Sequence, residues 1–148
     1  MQYFIDTNIF LRILHKENEK IFQECLSLLN SIKENKIEAS TATVVLTEVV
    51  WTLSTFYHIS KLKVIEGIQG IIQINGLKII DNYNHPLALQ LFEKHSIKYI
   101  DALIASNEDI YAKKMTVVSY DRDFDKLPIL RKEPKEVLKT LPSKKLLS

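Results

Sequence analysis

Hydrophobic positions along this chain switch repeatedly between the short runs of buried strands and the three-to-four-residue spacing of helices. Tyr3-Phe4-Ile5 is an apolar run too short for a helix, and the polar trio Asp6-Thr7-Asn8 closes it. That pattern predicts a buried strand with a helix opening behind it. Residues 9–15 and about 18–34 have helical spacing, with Ile21, Cys25, Leu28, Leu29 and Ile32 on one face. Ile37 to Ser40 predicts a second strand. Ser40, Thr41 or Thr43 could cap the next helix, over about 42–57, whose apolar stripe is Val45, Val49, Leu53 and Phe56. Lys61 to Ile74 predicts another amphipathic helix, with Gly76 where a C-terminal cap would fall. Leu77 to Ile80 reads as a strand, and His85-Pro86 opens a helix to about Lys94, proline being suited to a first turn. A helix over about 100–114, a strand at Thr116 to Ser119 and a loop or short helical turn from Tyr120 to Leu127 complete the pattern.

Short apolar strands alternating with helices predict an α/β sandwich around a parallel sheet, which binds ligands at the carboxyl ends of its strands. Two acids fall at such ends: Asp6 after the first strand and Asp121 shortly after the last. The 148 residues suit one domain with a real core, and their 46% hydrophobic and 26% charged content argues against disorder. Gly67, Gly70 and Gly76 are the only glycines, which excludes Gly-rich nucleotide cradles. A single cysteine, Cys25, excludes an internal disulfide and a Cys-rich metal site, and suits a reducing compartment. No apolar run approaches the roughly 18 residues of a membrane span, and the opening lacks a leader pattern, so a cytoplasmic protein is expected. Net charge is +2, divided between +4 in residues 131–148 and −2 in the remainder. The expected organisation is a domain over 1–130 with a basic tail over 131–148. Such a tail is either a solvated chain end or a segment that meets a phosphate backbone.

Four acids sit beside core-forming sequence rather than in charge runs: Asp6, Glu48, Asp101 and Asp121, with Asp123 close behind. Glu48 lies in Val44-Val45-Leu46-Thr47-Glu48-Val49-Val50-Trp51, apolar enough to suggest cover on both sides of the helix. A carboxylate buried there costs several kcal/mol unless it is paired or bound to metal. Thr41, Thr52 and Thr55 share its face, so a polar seam turned to water is the competing explanation. Taken singly, Asp6 could be a helix cap, Asp101 a first-turn acid and Asp121 a turn residue. Together they could converge on one sheet edge, where crowded carboxylates repel and a divalent cation relieves the repulsion. Hard oxygen ligands select Mg2+ or Mn2+, and such a site suits phosphodiester hydrolysis. The four histidines, His15, His58, His85 and His95, show no paired spacing. An aspartyl-phosphate phosphatase also places Asp after its first strand, but expects a second acid where Asn8 stands.

The segments Phe4-Ile5-Asp6-Thr7-Asn8, Thr47-Glu48-Val49-Val50-Trp51-Thr52-Leu53, Asp101-Ala102-Leu103-Ile104-Ala105 and Val118-Ser119-Tyr120-Asp121-Arg122-Asp123-Phe124 resemble the successive signatures of PIN domains. Within that family they are most similar to the toxin ribonucleases of VapBC-type toxin–antitoxin pairs, and Tyr57-His58-Ile59-Ser60 resembles the turn after the glutamate helix there. The resemblance runs from residue 3 to about 127. It implies a three-layer α/β/α sandwich, with Asp6, Glu48, Asp101 and Asp121 as the acidic metal cluster for Mg2+ or Mn2+. By the same resemblance Asp123 assists the metal, and Asn8 and Ser119 support the site through hydrogen bonds. The implied function is an endoribonuclease acting on RNA, often as a homodimer, and silenced by a small antitoxin. A PIN-fold module that binds RNA or protein without catalysis is the alternative. Lys98 departs from the pattern, standing three residues before Asp101 where relatives often carry an acid.

Overall fold

Five short strands, the central three mostly buried, form one parallel sheet in the computed structural model, which describes residues 1–142. They are β1 (Gln2–Ile5), β2 (Glu38–Thr41), β3 (Leu77–Ile79), β4 (Met115–Val118) and β5 (Arg131–Lys132), in the order β3-β2-β1-β4-β5. All neighbouring pairs are parallel, with Phe4 opposite Ser40 on one side and Val117 on the other. The helices are α1 (Thr7–Leu14), α2 (Glu19–Lys33), α3 (Thr43–Trp51), α4 (Lys61–Ile72), α5 (His85–Lys94), α6 (Tyr99–Ala105), α7 (Glu108–Tyr111) and α8 (Pro134–Leu138). The chain steps outward from β1 to β3, then returns to lay β4 against the other side of β1. Right-handed crossovers place the helices of an outward and a return path on opposite faces of a sheet. The contacts agree: α1 packs on α2 and α3, and α3 on α4, whereas α5 packs on α6 and α6 on α7. Phe4, Ile5, Phe10, Ile32, Val49 and Val117 lie in the core between these layers.

Most predicted elements are present within a residue or two, and the differences have identifiable physical causes. The helix expected over 42–57 is regular only to Trp51; Thr52–Phe56 is a π-helical turn, in which the Tyr57 N–H donates to the Thr52 carbonyl five residues back. Widening the turn rotates the residues at its far end, so Phe56 is 66% exposed instead of completing the stripe of Val45, Val49 and Leu53. It also removes the regular threonine seam: Thr41 belongs to β2, and Thr52 and Thr55 lie in the widened turn. Nor is α3 covered on both sides, because Val50 and Trp51 are exposed.

None of Ser40, Thr41 or Thr43 caps α3. Its N-cap is Ala42, which has no polar side chain. Asp81, just beyond β3, accepts instead from the Thr43 amide at 2.8 Å and the Thr43 hydroxyl at 2.6 Å, and from Tyr83 at 2.9 Å. The helix expected over 100–114 is broken at Ser106 and Asn107. There the Ser106 hydroxyl donates to the Leu103 carbonyl, and the Asn107 side chain accepts from the amides of Asp109 and Ile110. Such local side-chain bonds compete with helix continuation. Gly76, expected as the cap of α4, has φ +87° in the turn leading to β3, and a Cβ there would lie 2.7 Å from the Ile32 carbonyl oxygen.

Residues 131–138, assigned by their charge to the tail, form β5 and α8. β5 pairs with β4, α8 packs on α2, and Val137 is wholly buried. The last part of the expected tail, with Lys144 and Lys145, lies outside the described residues.

Replacing Asp81 with Ala removes the remote cap of α3, the helix that carries Glu48. The expected loss is about 1–2 kcal/mol, the scale of a lost N-cap, with the fold retained. Urea unfolding of Asp81→Ala beside wild type checks this, and unchanged stability would show that the contact does not cap α3.

Candidate metal centre

Strand order reverses at the parallel pair β1 and β4, which marks a notch at their carboxyl ends, where the flanking connections part. The Asp6 amide extends the β1–β4 ladder by donating to the Val118 carbonyl at 3.1 Å, which fixes Asp6 at the mouth of the notch. Asp6 stands at the N-cap position of α1 but makes no capping side-chain bond. Its carboxylate accepts from the Ser119 hydroxyl at 2.6 Å. That hydroxyl also accepts from the Asn8 amide nitrogen at 2.9 Å and from the Asp121 backbone at 3.0 Å. Asn8 in turn accepts from the Tyr120 amide at 3.2 Å. Asn8 and Ser119 therefore tie the start of α1 to the loop after β4 and set the positions of two acids at once.

Asp101 arrives from the opposite layer, in the first turn of α6, and only 2% of it is exposed. A first-turn acid that merely complemented the helix dipole would have no need of burial. Asp121 does serve its turn: it accepts from the Asp123 amide at 2.9 Å, opening the 3-10 turn Arg122–Lys126. Oxygens of Asp101, Asp121 and Asp123 can all lie within 4.8 Å of one another. Glu48, on α3, and Asp6 lie outside that tight trio, yet both act electrostatically on Asp101, and Glu48 acts on Asp6. Lys98, the N-cap residue of α6, reaches in with its ammonium 3.9 Å from both Glu48 and Asp121.

Burial shapes the charge of this site. Desolvation lifts the Asp6 carboxyl to about 6, opposed by the Ser119 hydrogen bond and reinforced by Glu48. Desolvation likewise lifts Asp101 to about 7; Lys98 opposes the rise, and Asp6, Asp121 and Glu48 add to it. For Lys98, burial works against the charged form, but Asp101, Glu48, Asp121 and Asp6 outweigh it and hold the ammonium above its usual range. One Asp101 oxygen, Oδ2, is buried without a hydrogen-bond partner in the protein. An unpaired buried carboxylate oxygen is costly, and a divalent cation with affinity for hard oxygen donors matches it. The donor set thus fits a hard divalent cation.

Arg131 is a site residue that the sequence does not reveal. Its guanidinium donates to the Ser119 carbonyl at 2.9 Å and pairs with both oxygens of Asp125, so it clamps the loop bearing Ser119, Asp121 and Asp123. Nothing in the spacing of a basic stretch marks out one arginine as inward-facing.

The PIN domain family matches residues 3–130. No curated protein matches the chain. Among solved structures, a chain of VapBC2 from Rickettsia felis, bound to a DNA fragment from their promoter, is 25% identical with a TM-score of 0.62. That match covers 90% of this chain and 98% of the other. PAE2754 from Pyrobaculum aerophilum has a TM-score of 0.65 over 95% of this chain and 94% of its own, and at 10% identity it speaks to the fold alone. With the family match running from β1 through the loop that carries Asp121 and Asp123, the chain belongs to the PIN-domain family.

Proposed function

We propose that this protein is a divalent-metal-dependent endoribonuclease and the toxin of a type II toxin–antitoxin pair. The observation that carries the reading is the meeting of Asp6, Glu48, Asp101 and Asp121 from four separate elements at one notch, with Asp101 Oδ2 unpaired. Asp6, Asp101 and Asp121 would hold Mg2+ or Mn2+, Glu48 would hold it or orient the attacking water, and Asp123 would assist. The ion would activate water and neutralise the phosphate oxygens of the scissile bond. Asn8 and Ser119 keep Asp6 and the Asp121 loop in register, and Arg131 braces that loop from behind. Membership of the PIN family and the likeness to VapBC2 support a nuclease of the toxin kind. Among the described residues no helix is long and apolar enough to cross a membrane, in keeping with action on RNA in the cytoplasm.

Two apolar surfaces suit the partners this reading brings. Val50, Ile59, Val64, Ile65, Ile68 and Ile72 line an open groove between α3 and α4, fitted to an apolar segment of a small antitoxin. Trp51, Tyr99 and Leu103 line a second apolar surface beside Glu48, fitted to another copy of the chain.

Asp6→Asn keeps shape and hydrogen bonding while removing charge. It is expected to cut RNA cleavage at least about a hundredfold, since loss of even outer metal-site partners costs 10–100-fold, and to leave the circular dichroism spectrum unchanged. Full activity in the purified variant, free of contaminating nuclease, would refute the assignment. Calorimetric Mn2+ titration separates the enzyme from a non-catalytic module, which would show no carboxylate-dependent binding.

The raised carboxyls have a consequence for stability. Asp6 and Asp101 titrate near 6 and 7 when folded, against 3.8 for the free side chain. Between pH ~4 and ~7 the folded state therefore binds more protons than the unfolded one, and stability must fall as pH rises through that window. The loss should be on the order of a few kcal/mol without metal, and saturating Mn2+ should abolish it, because metal binding takes the deprotonated form. Thermal melts in EDTA and in Mn2+ at pH 5 and 7.5 test this; a metal-free protein more stable at 7.5 contradicts it.

Assembly is read by light scattering on the full chain, alone and co-expressed with the product of an adjacent short reading frame. A dimer alone, and a stable complex that Ile65→Asp disrupts, are expected. A monomer that ignores the neighbouring product would remove the partners from the proposal.

A further inference from the structure

Apart from Asp6, which Ser119 steadies, the acids of the notch fall into two groups that share Asp121. On one side are Asp101, Asp121 and Asp123, whose oxygens come within 4.8 Å of one another, together with the unpaired Asp101 Oδ2. On the other side are Glu48 and Asp121, and between them stands the Lys98 ammonium, 3.9 Å from each. We propose that Lys98 is a tethered cation that fills the Glu48 side of the cluster, so that the site takes one divalent ion rather than two. The proposal rests on the reading of the notch as a metal centre.

Geometry gives the assignment its force. Lys98 is the N-cap residue of α6 and Asp101 lies in the first turn of that helix, so one short helix start delivers both the cation and the most buried acid. Lys126 also approaches the cluster, but it pairs with Asp123 at 3.0 Å and donates to the Ser96 carbonyl at 2.9 Å, which leaves Glu48 to Lys98. Paired catalytic metals sit about 3.5–4 Å apart and share bridging carboxylates. A second ion bridged by Asp121 and held by Glu48 would have to occupy the ground where the ammonium now stands. Two cations there repel, and the tethered one is not lost by dissociation. An ammonium also differs chemically from the ion it replaces, since it donates hydrogen bonds and cannot activate water. Lys98 thus neutralises charge and positions Glu48, while hydrolytic chemistry is left to the ion on the Asp101 side. The Lys98 side chain is 58% exposed, so a competing role is a solvent-facing phosphate contact that leaves metal number unaffected.

Metal-stripped wild type, Lys98→Met and Lys98→Asp, each full length and shown folded by circular dichroism, should be titrated with Mn2+ by calorimetry and followed by electron paramagnetic resonance. Wild type should bind one Mn2+ per chain with the six-line spectrum of an isolated ion. Lys98→Met should bind its first ion about tenfold more tightly, the scale of one like charge removed a few Å away. Lys98→Asp should bind two ions with an exchange-coupled spectrum. Two coupled ions in wild type would overturn the proposal and leave the metal reading intact. So would one ion at unchanged affinity in both variants, with only the KM for RNA raised. Absence of Mn2+ binding in all three proteins would instead overturn the metal reading and this proposal with it.

Discussion

The arrangement depends on electrostatic crowding in a partly dry notch. Four carboxylates brought together at the end of a sheet repel one another, and burial deprives them of the water that would screen the repulsion. Asp6 and Asp101 respond by holding their protons to about 6 and about 7. The protein does not relieve this by full pairing. Ser119 and Asn8 steady Asp6, and Lys98 reaches Glu48 and Asp121 at ion-pair rather than hydrogen-bond distance. The stability forgone is what a cation would recover on binding. Asp6 and Asp121 keep structural partners in the Ser119 hydroxyl and the Asp123 amide, whereas the buried Oδ2 of Asp101 meets no donor and adds cost without a compensating hydrogen bond.

Topology makes the crowding possible. Asp6 and Asp121 are 115 positions apart in sequence, yet β1 and β4 lie side by side in parallel register, Ile5 opposite Val118. Both acids therefore emerge at the same edge. Glu48 and Asp101 come from helices in different layers, one on the outward path and one on the return. The hydrogen bonds from Asn8 to Ser119 and from Tyr120 to Asn8 close the seam between the two paths. Arg131, on the last strand, then holds the outer end of the loop by its bonds to Ser119 and Asp125. Precision in the notch thus comes from rigid strands below it and a small polar network across its mouth.

Much of this is legible in the chain because it arises from local pattern. Strands β1 and β4 are apolar runs closed by polar residues, and the acids after them are conspicuous for that reason. Convergence of the four acids is suggested by strand-end placement and by family resemblance; neither periodicity nor spacing alone could bring α3 and α6 over one edge. The features that sequence pattern misses depend either on contacts distant along the chain or on local backbone changes that composition does not mark. Ala42 offers no cap, and its substitute, Asp81, lies 38 residues beyond Thr43. The π turn at Thr52–Phe56 adds a residue to a turn without changing the composition, so Phe56 has the spacing of a core residue and is surface. β5 and α8 are hidden by their charge: Arg131 reads as tail until its partners Asp125, Glu133 and the Ser119 carbonyl are seen around it.

The same physical test separates acids that hold the structure together from acids held in reserve. Asp81 is saturated by Thr43 and Tyr83, and Asp125 by the two-pronged grip of Arg131; in both, hydrogen bonds to the charged form hold the carboxyl below its ordinary range. Glu17 takes Arg12 and Tyr57 on its two oxygens. Each of these carboxylates is satisfied by its own chain and would gain little from an added ion. Asp101 is the opposite case, with a buried oxygen that no donor meets, an elevated carboxyl and like charges nearby. Burial alone would have marked Asp101 as structural, and charge alone would have ranked it with the many surface acids. Only the two together, set against the satisfied acids of the same fold, single it out as a carboxylate that its own chain leaves without a partner on one oxygen.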